Sequence, residues 1–76
     1  MAKIQALPWQ KLSRIFELDG WGLERVRGDH CVYTKAGFPR PVIIPKYREV
    51  AVFIILNNLK TARISRERYF ELLKKI

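Results

Sequence analysis

Between residues 21 and 45 the chain breaks into three short strand-forming runs with very little between them. The runs are "WGLERV" (Trp21 to Val26), "HCVYT" (His30 to Thr34) and "RPVIIP" (Arg40 to Pro45). Gly28-Asp29 separates the first two, and Ala36-Gly37-Phe38-Pro39 lies between the second and third. Parallel neighbours need a crossover of about a dozen residues or more, so connections this short predict an antiparallel meander. β-Branched and aromatic residues mark the second run as strand, and prolines fence the third. Gly28 can take the positive φ that a tight hairpin turn requires.

Helical periodicity flanks this meander. Trp9, Leu12, Ile15 and Phe16 form an apolar stripe that begins after Pro8, which suits a first turn. Asp19-Gly20 then stops the helix, with Gly20 as the residue beyond its C-terminus, and Lys11 and Arg14 fall off the stripe toward solvent. After the third strand, Val52, Ile55, Leu56 and Leu59 keep helical spacing and predict a helix from about Arg48 to Ala62. Ser65 predicts the N-cap of a final helix whose apolar stripe is Tyr69, Phe70, Leu72, Leu73 and Ile76. The order is α-β-β-β-α with a further short C-terminal helix. The fold class expected is α+β, a three-stranded antiparallel sheet with helices on one face. Residues 1–76 read as one domain, whose small core makes stability marginal.

Charge supplies the first functional clue. Fifteen Lys and Arg against seven Asp and Glu give a formal net charge of +8. On so small a domain that favours a polyanionic partner, RNA, DNA or an acidic protein surface, over a merely solvated basic surface. The single cysteine excludes an internal disulfide framework. The N-terminus has no signal-peptide pattern, and "VAVFIIL" is far shorter than the roughly 18 apolar residues a spanning helix needs. A cytoplasmic, soluble protein with no membrane partner is expected.

The stretch "RGDHCVY" (Arg27 to Tyr33) holds the only histidine and the only cysteine. Adjacent strand residues point to opposite faces, so His30 and Cys31 cannot share a metal ion. Cys31 reads as a small buried hydrophobe. The Arg-Gly-Asp tripeptide reads as a turn rather than an adhesion tag. No P-loop or dinucleotide fingerprint appears, and no cofactor is expected. His30 sits among Arg25, Arg27, Lys35 and Arg40. An imidazole with an ordinary pKa of about 6.5 suits RNA cleavage, in which the 2′-hydroxyl is an internal nucleophile and cations hold the phosphate. A lone histidine beside a turn equally suits a plain surface position. Arg25 and Arg27 are candidate phosphate clamps. Lys46 and Arg48 are candidates at the positive end of the following helix. Tyr33 and Tyr47 are candidate stacking residues, although Tyr33 reads rather as half-buried in the sheet, whereas Trp9 and Trp21 read as core.

Taken in order, these segments resemble the HicA-type mRNA interferase toxins. "LPWQKLSRIFELDGWGLERVRGDHCVY" follows that family's order, with the first helix ending as "LDGW" and a strand leading to a glycine and a histidine. "PVIIP" stands at the family's aliphatic strand closed by proline, and "KTARISRERYFELL" is similar to its ending. The resemblance covers nearly the whole chain. It implies a fold like that of double-stranded-RNA-binding domains, a toxin of a type II toxin–antitoxin system, mRNA as substrate and a HicB-type antitoxin as partner. It also implies that His30 is the catalytic group, with Gly28 and Asp29 beside it. A metal-independent endoribonuclease is therefore expected, with His30 as general acid or base. Arg25, Arg27, Lys46 and Arg48 would bind the RNA backbone. The alternative is a non-catalytic RNA-binding module.

Three positions depart from the family pattern. Asp29 stands where Ser or Thr is common, and Tyr47 where a second histidine is often found. "REVAVFIIL" is more apolar than the family's corresponding helix start. Its extra apolar residues are expected in the core, with a homodimer or antitoxin interface as the other use.

Overall fold

The structure, a computed structural model, describes residues 2–76. Its elements are α1 (Trp9–Leu18), β1 (Gly22–Arg27), β2 (His30–Thr34), β3 (Val42–Pro45), α2 (Val52–Ala62) and α3 (Arg66–Leu73). The strands form one antiparallel sheet in the order β1-β2-β3. The expected α+β meander is therefore the observed fold. No helix among the described residues is long and apolar enough to cross a membrane.

Each helix end has a local cause. Pro8 is extended at the N-cap of α1 (φ −60°, ψ 145°). At its other end Gly20 takes φ +98°, and the amides of Gly20 and Trp21 donate to the carbonyls of Glu17 and Phe16 at 3.0 Å each. That is a Schellman closure, and glycine adopts its left-handed residue without strain. Helix α2 ends the same way. The Arg63 and Ile64 amides donate to Lys60 and Leu59 at 3.2 and 2.9 Å. Here the left-handed residue is Arg63 (φ 56°, ψ 40°), which costs about 1 kcal/mol relative to glycine. Ser65 caps α3 as expected, its hydroxyl accepting from the Arg68 amide at 3.1 Å.

The start of α2 corrects the sequence-based boundary at Arg48. Val50 pairs antiparallel with Leu7, its amide donating to the Leu7 carbonyl at 2.6 Å. Ala51 follows in extended backbone (ψ 151°), so the first helical residue is Val52. The stripe is corrected as well. Ile55, Asn58, Leu59 and Ala62 are buried, while Leu56 is exposed and Phe53 is 67% exposed. The apolar start of α2 thus divides between the core and the surface.

The β2 and β3 side chains Cys31, Tyr33, Val42 and Ile44 meet Leu12, Ile15, Phe16, Ile55, Leu59, Tyr69 and Leu72 in the core. Helices α1 and α2 pack over β3, leaving β1 as an edge. Leu23 and Val26 pair directly with Tyr33 and Cys31, and directly paired residues share a face. They therefore lie on the helix side yet remain 52% and 46% exposed. A bulge between Leu23 and Arg25 accounts for the weak alternation of this strand.

Asp19 fastens the ends of three elements. Its carboxylate accepts from Trp21 Nε1 at 3.3 Å, Arg68 Nε at 3.2 Å and Lys35 Nζ at 3.5 Å, and its side chain is only 12% exposed. Lys35 Nζ also donates to the Asp19 carbonyl at 2.6 Å. Replacing Asp19 with alanine strands donors from α1's exit, β2's end and α3. The expected loss is about 2 kcal/mol, read as a lower urea midpoint at unchanged slope.

Candidate active site

The site grows from the two-residue turn of the β1–β2 hairpin. Gly28 has φ +58°, and Asp29 is not among the residues with positive φ. Glycine at the first central position is the sequence preference of a type II′ turn, whose twist matches the flanking strands. The turn fixes the register, pairing Arg27 with His30. On the other side of β2, His30 pairs with Pro45.

Register then decides the face. Cys31 and Tyr33 point into the core, so His30 and Val32 point the other way. Arg27 pairs with His30 and Arg25 with Val32, which places both arginines on the outer face with the imidazole. The bulge at Glu24 makes this possible, because regular alternation from Leu23 would send Arg25 inward. Cα atoms of such partners lie about 5 Å apart, so Arg27 stands beside His30.

Asp29 orients the imidazole. Its Oδ1 lies 2.8 Å from His30 Nδ1. That contact occupies the Nδ1 edge of the ring, and Nε2 makes no hydrogen bond among the described residues. Both side chains are open to solvent, His30 at 44% and Asp29 at 67%. The imidazole is thus accessible on the outer face of the sheet, with Arg27 as its direct cross-strand partner.

The remaining candidates are placed less evenly. The Lys46 amide donates to the Asp29 carbonyl at 2.6 Å, extending the ladder beyond Pro45 and joining this segment to the hairpin turn. Its ammonium lies over the Trp9 ring, 5.5 Å from the centroid. Arg25 is held at 3.5 Å by Glu24. Arg48 is exposed ahead of α2 and makes no hydrogen bond or ion pair with the group among the described residues. The structure thus joins Gly28, Asp29, His30, Arg27 and Arg25 through the hairpin, and Lys46 through its backbone.

Tyr33 is not a stacking surface. It is buried in the core, and burial pushes its hydroxyl pKa above the ordinary 10.0, with Ser13 beside it pulling the other way. Tyr47 is half exposed, and its carbonyl accepts from the Trp9 amide at 3.2 Å. Sequence reasoning placed Trp9 in the core and missed its position beneath Lys46. The two residues are far apart in sequence and no local pattern signals the contact.

No curated protein and no solved structure matches the chain. A family model does, described as the HicA toxin of bacterial toxin–antitoxin, and it aligns with residues 9–64. That span runs from the first residue of α1 through the whole sheet and hairpin to just beyond α2. The chain therefore belongs to the HicA toxin family of bacterial toxin–antitoxin systems.

Proposed function

We propose that this chain is an endoribonuclease toxin that cleaves mRNA without a metal ion, using His30 as its general acid or base. The observation that carries this reading is the Asp29–His30 contact at 2.8 Å on the open sheet face, beside Arg27 and Arg25. In this reaction the 2′-oxygen attacks the adjacent phosphorus and the P–O5′ bond breaks. The 2′-hydroxyl loses a proton and the departing 5′-oxygen gains one. His30 Nε2 serves one of these transfers, and solvent serves the other. Arg27 and Arg25 stabilise the added negative charge on the phosphoryl oxygens. Lys46 and Arg48 extend the cationic surface along the RNA backbone.

The partner we propose is a HicB-type antitoxin that takes up the exposed apolar residues of β1 and α2. Support comes from the apolar surface left open at Leu23, Val26, Phe53 and Leu56, which suits a protein contact.

Incubating the purified protein with mRNA in the presence of a chelator tests the reading. Cleavage is expected, and intact RNA would remove the catalytic role and favour the RNA-binding module. Asp29→Asn separates orientation from charge. Because the pair is exposed, its electrostatic worth is small, and cleavage should slow by no more than about fivefold. A loss as large as that from removing His30 would show that Asp29 has a different role.

A further inference from the structure

A second cationic cleft lies away from the hairpin. It has a volume of about 520 Å³ and is lined by Phe38, Arg40, Asn57, Lys60, Thr61 and Arg63. Three of these are cations and none is an acid. Arg40, Lys60 and Arg63 form no ion pair among the described residues, although Arg14, Arg25, Lys35 and Arg68 all do. Arg63 is also the left-handed residue that closes α2, where glycine would be unstrained. An arginine held there at a conformational cost points to a use for its side chain. Its guanidinium lies 5.5 Å from the Phe38 ring centroid, which orients it at the mouth of the cleft.

We infer that this cleft binds a phosphodiester of single-stranded RNA outside the scissile position. The inference rests on the proposed RNA substrate. Asn57 and Thr61 supply neutral hydrogen-bonding groups beside the three cations, as a phosphate site does. A protein partner would need a deep apolar anchor pocket, whereas the cleft's apolar lining comes down to Phe38 and Pro39. The Phe38 ring is already covered by Trp21, at 5.1 Å between centroids, and by Lys35 and Arg63. Position also separates the cleft from the chemistry. His30 pairs with Pro45 at one end of the β2–β3 ladder, and Tyr33 pairs with Val42 at the other, toward the turn that carries Phe38 and Arg40. Three steps along the strand span roughly 10 Å and the turn lies beyond them, so the cleft takes flanking nucleotides rather than the reacting phosphate.

The test uses a short fluorescein-labelled single-stranded RNA and the uncleaving His30→Ala protein. Its binding is followed by anisotropy across a potassium chloride series. Adding Arg63→Gly should weaken binding about tenfold and lower the salt slope by about 0.7. The urea midpoint should stay level or rise, because glycine fits the left-handed backbone. Arg63→Lys should keep most of the affinity. A paired Arg40→Ala and Lys60→Ala variant should weaken binding further. Unchanged RNA affinity and slope in these variants overturns the inference, as does loss of binding to poly-glutamate alone. Two assays, RNA cutting by the unmodified protein and RNA binding by these variants, separate this proposal from the catalytic one. RNA cutting together with binding indifferent to these variants rejects the cleft alone. Cleft-dependent binding with no cutting rejects the catalysis alone, and no RNA binding at all rejects both.

Discussion

Replacing His30 with alanine is expected to slow RNA cleavage by about 10²- to 10⁴-fold while leaving the fold unchanged. The size follows from the place of the imidazole. It is the only histidine in the chain, and the Asp29 contact at Nδ1 leaves Nε2 for the proposed proton transfer. The lack of effect on folding follows from its exposure. His30 fills no core position, so its removal should change stability by less than about 0.5 kcal/mol. The check is a single-turnover cleavage rate beside a urea titration of the same preparation. Cleavage at the parent rate would remove His30 from the chemistry. Growth inhibition on expression should fall in step with the rate.

The second large effect is on stability. Phe16 is completely buried and meets Trp21 edge-on, with centroids 6.4 Å apart and planes at 81°. Phe16→Ala removes that contact and opens a cavity between α1 and the sheet, at a cost of about 3–5 kcal/mol. A domain of this size has a total stability of only about 4–11 kcal/mol. The variant should therefore be largely unfolded or unfold at a much lower urea concentration. Phe53→Ala supplies the contrast. Phe53 is mostly exposed on α2, and its loss should cost under about 0.5 kcal/mol. Equal effects from the two phenylalanines would contradict the packing described.

Much of the frame was legible because its signals are local. Gly28 marked the hairpin, Gly20 the exit of α1 and Ser65 the start of α3, and each works through bonds to residues close by in the chain. Alternation put His30 and Cys31 on opposite faces, and the structure buries Cys31 and leaves His30 open. What escaped depends on distant partners. The start of α2 is set by the pairing of Val50 with Leu7, which no window around Arg48 reveals. A run as apolar as "VAVFIIL" does not say which face is buried. That follows from α2 packing on β3, which turns Ile55 inward and Phe53 outward. Asp19 was readable as a helix stop, but its bond to Arg68 joins residues 49 positions apart in the chain.

The candidate site divides along the same line. The hairpin brings Arg27, Asp29 and His30 together by register alone, so sequence spacing was enough to find them. Arg25 belongs with them only because of the bulge, which spacing does not predict. Lys46 joins through its backbone while its ammonium turns to Trp9, a contact made by tertiary packing.

The chemistry of the ends left by cleavage tests the central claim most directly. Attack by the 2′-hydroxyl under proton transfer by His30 leaves a 2′,3′-cyclic phosphate or its hydrolysis product on one fragment and a free 5′-hydroxyl on the other. That pattern, obtained with chelator present and lost in His30→Ala, is the result expected. Fragments carrying 5′-phosphate and 3′-hydroxyl ends, or cleavage that requires added divalent metal, would contradict it.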